Sequence, residues 1–483
     1  MLPARLPETE DTIVAVATPP GRAALGMVRL AGRRARRLAV RLFRPFHPDP
    51  AFPQPLQAAA GTALREPGGA PLDRGVLVFF PAAASPVGED LVEVTLHGSP
   101  VVLSLYLEAC TAQGARPALP GEFSYRAFLH DRLDAAQAEA VDDLVKARTE
   151  HQVRVAHRQL CGALGKAVEP VRRLLVDELA RQEASIEFSS TEEEDFLPVR
   201  QFEASLQQAR ASMLPLLQSA GAGLALAQGC RVVLAGRVNA GKSSLFNRLL
   251  GAERAIVHSG PGTTRDLVEG QVEWEGLPLT LVDTAGLRRE DVQPPDAGVL
   301  SRDPGRDGAA SPAAPRDPVE AEGLRRGRQA RLEADLVLWV RDVTQPSWEE
   351  PPGGPVPFLV VDNKIDLSPQ CETARPTPGQ TGLPVSARTG EGLKRLKNRI
   401  IQHLVPGWNR DEPPFVSRLR QKRCLEEVLA ALDEAAGLAR QDAGEEIVVL
   451  ALKRALEHLS RLTGRGGREE IYDRIFSSFC IGK

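Results

Sequence analysis

Gly236, Gly241, Lys242 and Ser243, in the run GRVNAGKSS, have the spacing of a phosphate cradle. The pattern is G-x-x-x-x-G-K-S/T. Its glycines let backbone N–H groups curl around phosphate oxygens, its lysine reaches the β- and γ-phosphates, and its hydroxyl ligates Mg²⁺. Asn239, Ala240 and Ser244 complete the loop. A second group, DTAG (Asp283, Thr284, Ala285, Gly286), offers a carboxylate that holds Mg²⁺ through water and a glycine that senses the γ-phosphate. A third, NKID, places Asn363, Lys364 and Asp366 where a carboxylate can accept hydrogen bonds from the N1–H and N2–H₂ edge of guanine. Adenine lacks that edge, and a buried carboxylate left unpaired is heavily penalised. SAR (Ser386, Ala387, Arg388) then supplies a backbone N–H for the guanine O6. With GTTRD at 262–266 between them, the motifs point to GTP and not ATP. Small signalling GTPases carry a water-orienting Gln after DTAG. Here Leu287 stands there and cannot orient water, so that role and charge neutralisation must come from elsewhere.

These loops need strands to hold them. RVVLAG, LPLTLVD, DLVLWV and PFLVVDN predict strands alternating with helices, hence a parallel sheet of βαβ units over 227–409. The strand predicted at 231–235 precedes the cradle, and a helix begins in SLFNRLLG. Residues 1–122 read as an α+β sheet domain, with short apolar runs such as TIVAVAT and DLVEVTL between Pro and Gly turns. Residues 123–226 are rich in Ala, Leu, Gln, Glu and Arg at helical spacing, and the texture resumes over 410–483. Asp134 and Gln137 resemble a capping box at one helix start. Helices, then α/β, then helices again imply a G domain inserted into one discontinuous helical domain; two separate helical domains are the alternative. The stretch 289–318, crowded with Pro, Gly, Asp and Arg, reads as a disordered insert.

The 483 residues allow two to four domains. A net charge of −3 excludes a global basic field, so any RNA contact must use a local patch. The run RRARRLAVRLFR (33–44) could be such a patch or a solvated helix face. No apolar run is long enough for a membrane helix. Six scattered cysteines without a CxxC pair suggest reduced thiols, and a cytoplasmic location is expected. The terminal FSSFCIGK is a poor prenylation box, because its tail is Cys480-Ile481-Gly482-Lys483. Ile475, Phe476 and Phe479 can share a helix face that pins the end to a core.

The motifs DTIVAVATPPGRAALGMVRLAG, GEFSYRAFLHDRLDAAQAEAV, GRVNAGKSSLFN, GTTRD, DTAGLR and FSSFCIGK together resemble the MnmE (TrmE) family of tRNA-modification GTPases, from near residue 11 to the last. The resemblance implies a folate-binding and dimerising N-terminal domain, an all-α domain and an inserted Ras-like G domain. It implies a homodimer and a K⁺-stimulated GTPase acting with a separate FAD-containing protein, MnmG. Together they modify C5 of the wobble uridine of certain tRNAs to the carboxymethylaminomethyl or aminomethyl type. The one-carbon unit comes from a tetrahydrofolate derivative, 5,10-methylene- or 5-formyl-tetrahydrofolate. By the family pattern, His258, Ser259, Gly260, Pro261, Gly262, Thr263 and Thr264 form the switch I segment at the nucleotide. Asn239, His258, Gly260 and Thr263 hold K⁺, and Thr264 completes the Mg²⁺ shell begun by Ser243. A cation fixed beside the phosphates neutralises developing charge, as an arginine finger does elsewhere. The water-orienting glutamate matches Glu320, with Glu322 close enough to compete.

Arg29, Glu93 and Arg132 match folate-contact positions; Arg132 replaces the usual Lys. The resemblance implies that the tail returns toward that pocket, which makes Lys483 a candidate folate contact and Cys480 either a reactive thiol or a packed residue. Two other readings stay open: a ribosome-assembly GTPase, and a folate-binding scaffold whose G domain acts only as a switch.

Overall fold

The structure, a computed structural model, describes residues 10–47, 50–188, 199–251, 268–284, 325, 327–345, 354–367, 382–409, 411, 414–441, 443–464, 475, 479 and 482. Its contacts divide into two units. One comprises Met1–Lys146, Ala156–Leu217 and Leu419–Lys483, the other Ala147–Val155 and Gln218–Arg418. The stretch 289–318 lies outside the described residues.

The first unit opens with β1 (Ile13–Val16), β2 (Ala23–Ala31), α1 (Ala35–Leu42), β3 (Phe43–Pro45), β4 (Ala58–Leu64), β5 (Pro71–Phe80), β6 (Leu91–Gly98), α2 (Pro100–Ala112) and β7 (Arg116–Pro117). The seven strands form one sheet in the order β3-β4-β5-β6-β2-β1-β7. Side chains alternate between faces along each strand. One face carries Val28, Leu30, Val92 and Val94, which pack with Leu38 and Leu42 of α1 and Tyr106 of α2. The run RRARRLAVRLFR thus becomes an amphipathic helix over 35–42, with Ala35, Leu38, Ala39 and Leu42 buried at helical spacing. The opposite sheet face carries Ala31 and Leu91, which cluster with Phe123.

The helical part of this unit contains α3 (Glu122–Leu129), α4 (Ala135–Lys146), α5 (Glu150–Leu160), α6 (Ala163–Phe188) and α7 (Val199–Gln218). α5 continues from one contact unit into the other at Val155–Ala156. The start of α4 is a complete capping box. Asp134 Oδ1 accepts from the Gln137 backbone N–H at 2.7 Å, and Gln137 Oε1 accepts from that of Asp134 at 2.9 Å. Two of the orphan donors of that helix end are thereby satisfied.

The second unit holds α8 (Ala220–Gln228), β8 (Cys230–Ala235), α9 (Lys242–Leu250), β9 (Val268–Trp274), β10 (Leu277–Asp283), β11 (Leu336–Asp342), β12 (Phe358–Asn363), β13 (Leu383–Pro384) and α10 (Leu393–Leu404). Its six strands run in the order β13-β12-β11-β8-β10-β9. All neighbours are parallel except β9 and β10, which form an antiparallel pair. Leu234, Leu281, Leu338 and Val361 of these strands bury against Leu245, Leu249, Leu396 and Ile400 of α9 and α10. In such sheets ligands bind beyond the carboxyl ends of the strands, and Gly236, Asp283, Asn363 and Ser386 each lie at or just past one of those ends.

After the G-domain sequence the chain returns as α11 (Leu419–Arg440) and α12 (Glu445–Thr463), back in the first unit. Arg420 and Gln421 of α11 donate to the buried Glu139 carboxylate of α4 at 2.7–2.8 Å. Residues far apart in sequence on either side of the second unit are therefore joined by a charged, hydrogen-bonded contact in the interior.

Candidate functional site

The cradle leaves β8 at Gly236 and enters α9 at Lys242. Gly241 has φ +88, and a Cβ there would run into the Asn363 amide. Glycine is needed twice over, for the left-handed backbone and for the close approach. Asn239 also has positive φ, +64, in the middle of the loop. Lys242 is buried, and its Nζ donates to the carbonyls of Gly236 at 3.0 Å and Arg237 at 2.9 Å. The ammonium is thus held across the mouth of its own loop. Burial lowers its pKa, against the opposing pull of Asp283.

Asp283 ends β10 beside the start of α9. Ser243 Oγ donates to Asp283 Oδ2 at 2.5 Å. The other oxygen, Oδ1, is buried with no hydrogen-bond partner among the described residues. Burial raises the Asp283 pKa, with the Ser243 bond and the Lys242 charge acting the other way. A buried carboxylate oxygen without a donor, next to a hydroxyl, is the donor set a hydrated divalent cation takes up. These residues fit Mg²⁺. Thr284 is tied down by its hydroxyl, which donates to the Leu234 carbonyl at 2.7 Å.

The base-side residues converge in the same way. Asn363, nearly fully buried, donates through Nδ2 to Ala240 O and accepts through Oδ1 from Ala387 N–H, each at 3.0 Å. One amide therefore clips the phosphate loop to the SAR loop. Asp366 accepts from Ser386 Oγ at 2.6 Å, and the exposed Arg388 guanidinium lies 4.0 Å from its second oxygen. Lys364, at φ +69, pairs with Asp342 at 2.7 Å. Sequence reasoning missed Asp342. It is the last residue of β11, one strand over from NKID, and the parallel register sets it opposite Asn363.

Of the other nucleotide-site expectations, His258, Ser259, Gly260, Pro261, Gly262, Thr263, Thr264, Ala285, Gly286, Glu320 and Glu322 lie outside the described residues.

In the N-terminal sheet Arg29 of β2 and Glu93 of β6 are directly paired across the strands. They lie on the sheet face away from α1 and α2. Arg29 donates to Glu93 Oε1 through Nη2 at 2.7 Å and Nε at 3.0 Å, and its guanidinium lies 5.6 Å from the centre of the Phe123 ring. Its remaining Nη1 donates to the carbonyl of Gly482 at 3.2 Å. Gly482 has φ +95 and packs so tightly on Val16 and Ala17 that a Cβ would overlap the Val16 carbonyl. Ile475 and Phe479 are buried with Tyr125, Phe128, Ala135 and Ala138. Phe476, Cys480 and Lys483 lie outside the described residues. Arg132 donates to the Ala82 and Ala83 carbonyls at 2.9 and 2.8 Å. The Gly482 contact and the Phe123 ring are additions that no local signal in the sequence announces.

Buried thiols elsewhere are not reactive groups: burial pushes Cys110 and Cys230 up to about 12. No described helix is long and apolar enough to cross a membrane.

Comparison with known proteins adds to this geometry. A family model described as the MnmE helical domain matches residues 136–480, and one described as the GTP-binding protein TrmE N-terminus matches residues 12–132. A tRNA modification GTPase MnmE from Koribacter versatilis is 36% identical over 484 residues, covering 98% of this chain and 99% of the relative. A protein of the same name from Thermus thermophilus is 39% identical over 474 residues, with 98% and 99% covered. That from an Acidovorax species is 38% identical over 505 residues, with 99% and 100% covered.

Proposed function

The chain belongs to the MnmE (TrmE) family of tRNA modification GTPases, and on that premise we propose how its residues divide the work. It is a GTP hydrolase acting in tRNA modification, built from a TrmE N-terminal domain, a helical MnmE domain and a P-loop G domain. In the proposed domain map 1–122 binds folate and dimerises, 123–226 with 410–483 is the helical domain, and 227–409 is the G domain.

GTP binding turns the Lys242 ammonium from the Gly236 and Arg237 carbonyls to the β- and γ-phosphates. Ser243 and Asp283 hold Mg²⁺, with Thr264 completing the shell. Asp366, aligned by Ser386, accepts from the guanine edge, and Asn363 fixes the Ala387 N–H loop that reads O6. Asn239, with His258, Gly260 and Thr263, holds K⁺. These two cations supply charge neutralisation at the phosphates when bound. Glu320 orients the attacking water, a role Leu287 cannot fill, and K⁺-dependent pairing of two G domains completes the site.

The chemistry on tRNA uses the other pocket. With an FAD-containing protein of the MnmG type, in the cytoplasm, the homodimer modifies C5 of the wobble uridine. The one-carbon unit comes from a methylene-tetrahydrofolate held at Arg29, Glu93, Arg132 and Lys483. The observation that carries this reading is the meeting of the chain end with the Arg29–Glu93 pair, through the Gly482 carbonyl. Lys483 and Cys480 are one and two residues from Gly482 along the chain. A carboxylate and a guanidinium side by side suit the donor and acceptor edges of a pterin and the carboxylates of its tail.

The test is mass analysis of wobble uridines in tRNA from cells lacking this chain. Loss of the C5 modification is expected; an unchanged modification would overturn the reading. GTP turnover in K⁺ and in Na⁺ separates the enzyme from a scaffold, because equal and negligible rates in both salts would favour the latter.

A further inference from the structure

Helix α10 follows the SAR loop and closes the second unit. It buries Leu393, Leu396, Ile400 and Ile401. Its outer side carries Lys394, Arg395, Lys397, Asn398 and Arg399, with four cations and no acid. Two grooves flank this side. One, of about 830 Å³, is lined by Lys394, Lys397 and Asn398 together with Asn247 and Arg248 of α9 and Trp274 of β9. The other, of about 860 Å³, is lined by Lys394, Arg395, Asn398 and Arg399 with strand ends of β12 and β13. Lys394 and Asn398 line both, and so form the ridge between them.

Across both grooves the acidic lining is Glu275 alone, against the cations Arg248, Lys394, Arg395, Lys397 and Arg399. Lys394, Arg395 and Arg399 have no acidic partner among the described residues. Arg395 and Arg399 are like charges at i and i+4, an arrangement that destabilises a helix unless something anionic covers it. The chain as a whole carries a net charge of −3, so this concentration is local. At one wall Lys397 lies 5.2 Å from the centre of the buried Trp274 ring, whose Nε1 donor has no acceptor among the described residues. From 394 to 399 the helix rises about 7.5 Å, the axial span of about two phosphates on one nucleic-acid strand.

We propose that the two grooves along α10 bind the ribose–phosphate backbone of tRNA, with the cations of residues 394–399 facing its phosphates. This rests on the reading of the chain as a tRNA-modifying enzyme and names a surface by which it holds that substrate. The contact is electrostatic and independent of base sequence. It also touches the nucleotide site. The same groove is lined by Ser244, next to the cradle hydroxyl, and by Ala387 and Thr389 of the guanine loop. Arg248 donates to the Thr389 carbonyl at 3.3 Å. A phosphate drawing on Arg248 therefore competes with a bond to the loop that reads guanine, and tRNA and nucleotide affinities are coupled reciprocally.

The test measures binding of a labelled unmodified tRNA transcript to the full-length chain over a range of salt concentrations. Lys394→Ala, Arg395→Ala and Arg399→Ala combined should weaken binding about tenfold or more near 0.1 M salt and reduce the slope of log affinity against log salt by about 2. GTP turnover without tRNA should stay unchanged, which also reports that the variant is folded. The charge-conserving set Lys394→Arg, Arg395→Lys and Arg399→Lys should keep most of the binding. Unchanged affinity and slope in the alanine variant would overturn the proposal. So would unchanged tRNA binding with lost association to the FAD-containing protein, which would make this face a protein interface. A wild-type chain that bound no tRNA at any salt would instead overturn the broader reading of the substrate.

Discussion

The nucleotide site and the Arg29–Glu93 site are built in opposite ways. The first is made of short loops, each leaving the end of one parallel strand. Its cradle residues all fall within the single run GRVNAGKSS, and the sheet need only bring the loop ends to one edge. The second has almost no local signature. Its pair sits on two strands joined by antiparallel register, its aromatic wall comes from α3, and its third hydrogen bond comes from a glycine 453 residues downstream of Arg29. A site of the first kind tolerates variation in the rest of the chain. A site of the second kind depends on the closure of the whole first unit, including the burial of Ile475 and Phe479.

Damage to one site should therefore leave the other's activity standing. The largest effect is expected from Asp366→Asn. The amide cannot accept from both guanine donors, so GTP affinity should fall on the order of 10³- to 10⁴-fold. Xanthosine triphosphate, which offers a carbonyl in place of the amino group, should bind better than GTP in a competition assay. Retained guanine preference would break the assignment. Next, Glu93→Gln should lower wobble modification in a reconstituted assay on the order of 10²-fold, roughly the loss of one charge-assisted interaction, while GTP turnover stays within about twofold. A parallel fall in GTP turnover would dissolve the distinction between the two sites.

Gly482→Ala should act in the same direction with a smaller effect, about tenfold. Its Cβ has no room beside Val16, and its φ is unfavourable for alanine. Modification equal to wild type would show that the tail need not seat on Arg29. The smallest effect concerns pH. Burial raises Asp283 and lowers Lys242. Asp283 works as the carboxylate and Lys242 as the ammonium. Mg²⁺-dependent GTP binding should therefore weaken on acidification at a pH above the range where an ordinary Asp titrates, and on the alkaline side below that of an ordinary Lys. A titration of GTP affinity that followed unshifted groups at both limbs would contradict the burial of this pair.

Much of the second unit was legible because its signals are local. The strand expected at 231–235 is Cys230–Ala235, and the helix after the cradle runs from Lys242 to Leu250. Asp283 and Asn363 each end a strand as expected. The capping box at Asp134 is equally local, its two side chains satisfying each other's backbone. What escaped is what register decides. Asp342 became the partner of Lys364 only because β11 and β12 align in parallel, and no spacing along the chain encodes that. The arginine run at 33–44 was ambiguous for a different reason. Its charges allow either a nucleic-acid face or a solvated one, and the structure gives it the ordinary job of covering a sheet with its apolar stripe. The basic helix α10 drew no notice in the sequence, since its cations look like those of any solvated helix until the flanking grooves are seen.

By itself the sequence determined the chemistry of the loops: residue types at fixed short spacings set which phosphate, cation and base edges can be met, because a strand–loop–helix unit presents them whatever lies around it. It also determined the alternation of helical and α/β texture, since periodicity is a property of neighbouring residues. Only the tertiary structure decided that Glu93 faces Arg29, that Phe123 lies against the guanidinium, and that Gly482 comes back to accept its last hydrogen bond. Those contacts join residues whose separation along the chain is unrelated to their separation in space. They exist because Ile475 and Phe479 are buried against Tyr125, Phe128, Ala135 and Ala138, and because Gly482 packs against Val16 and Ala17 where a side chain would not fit.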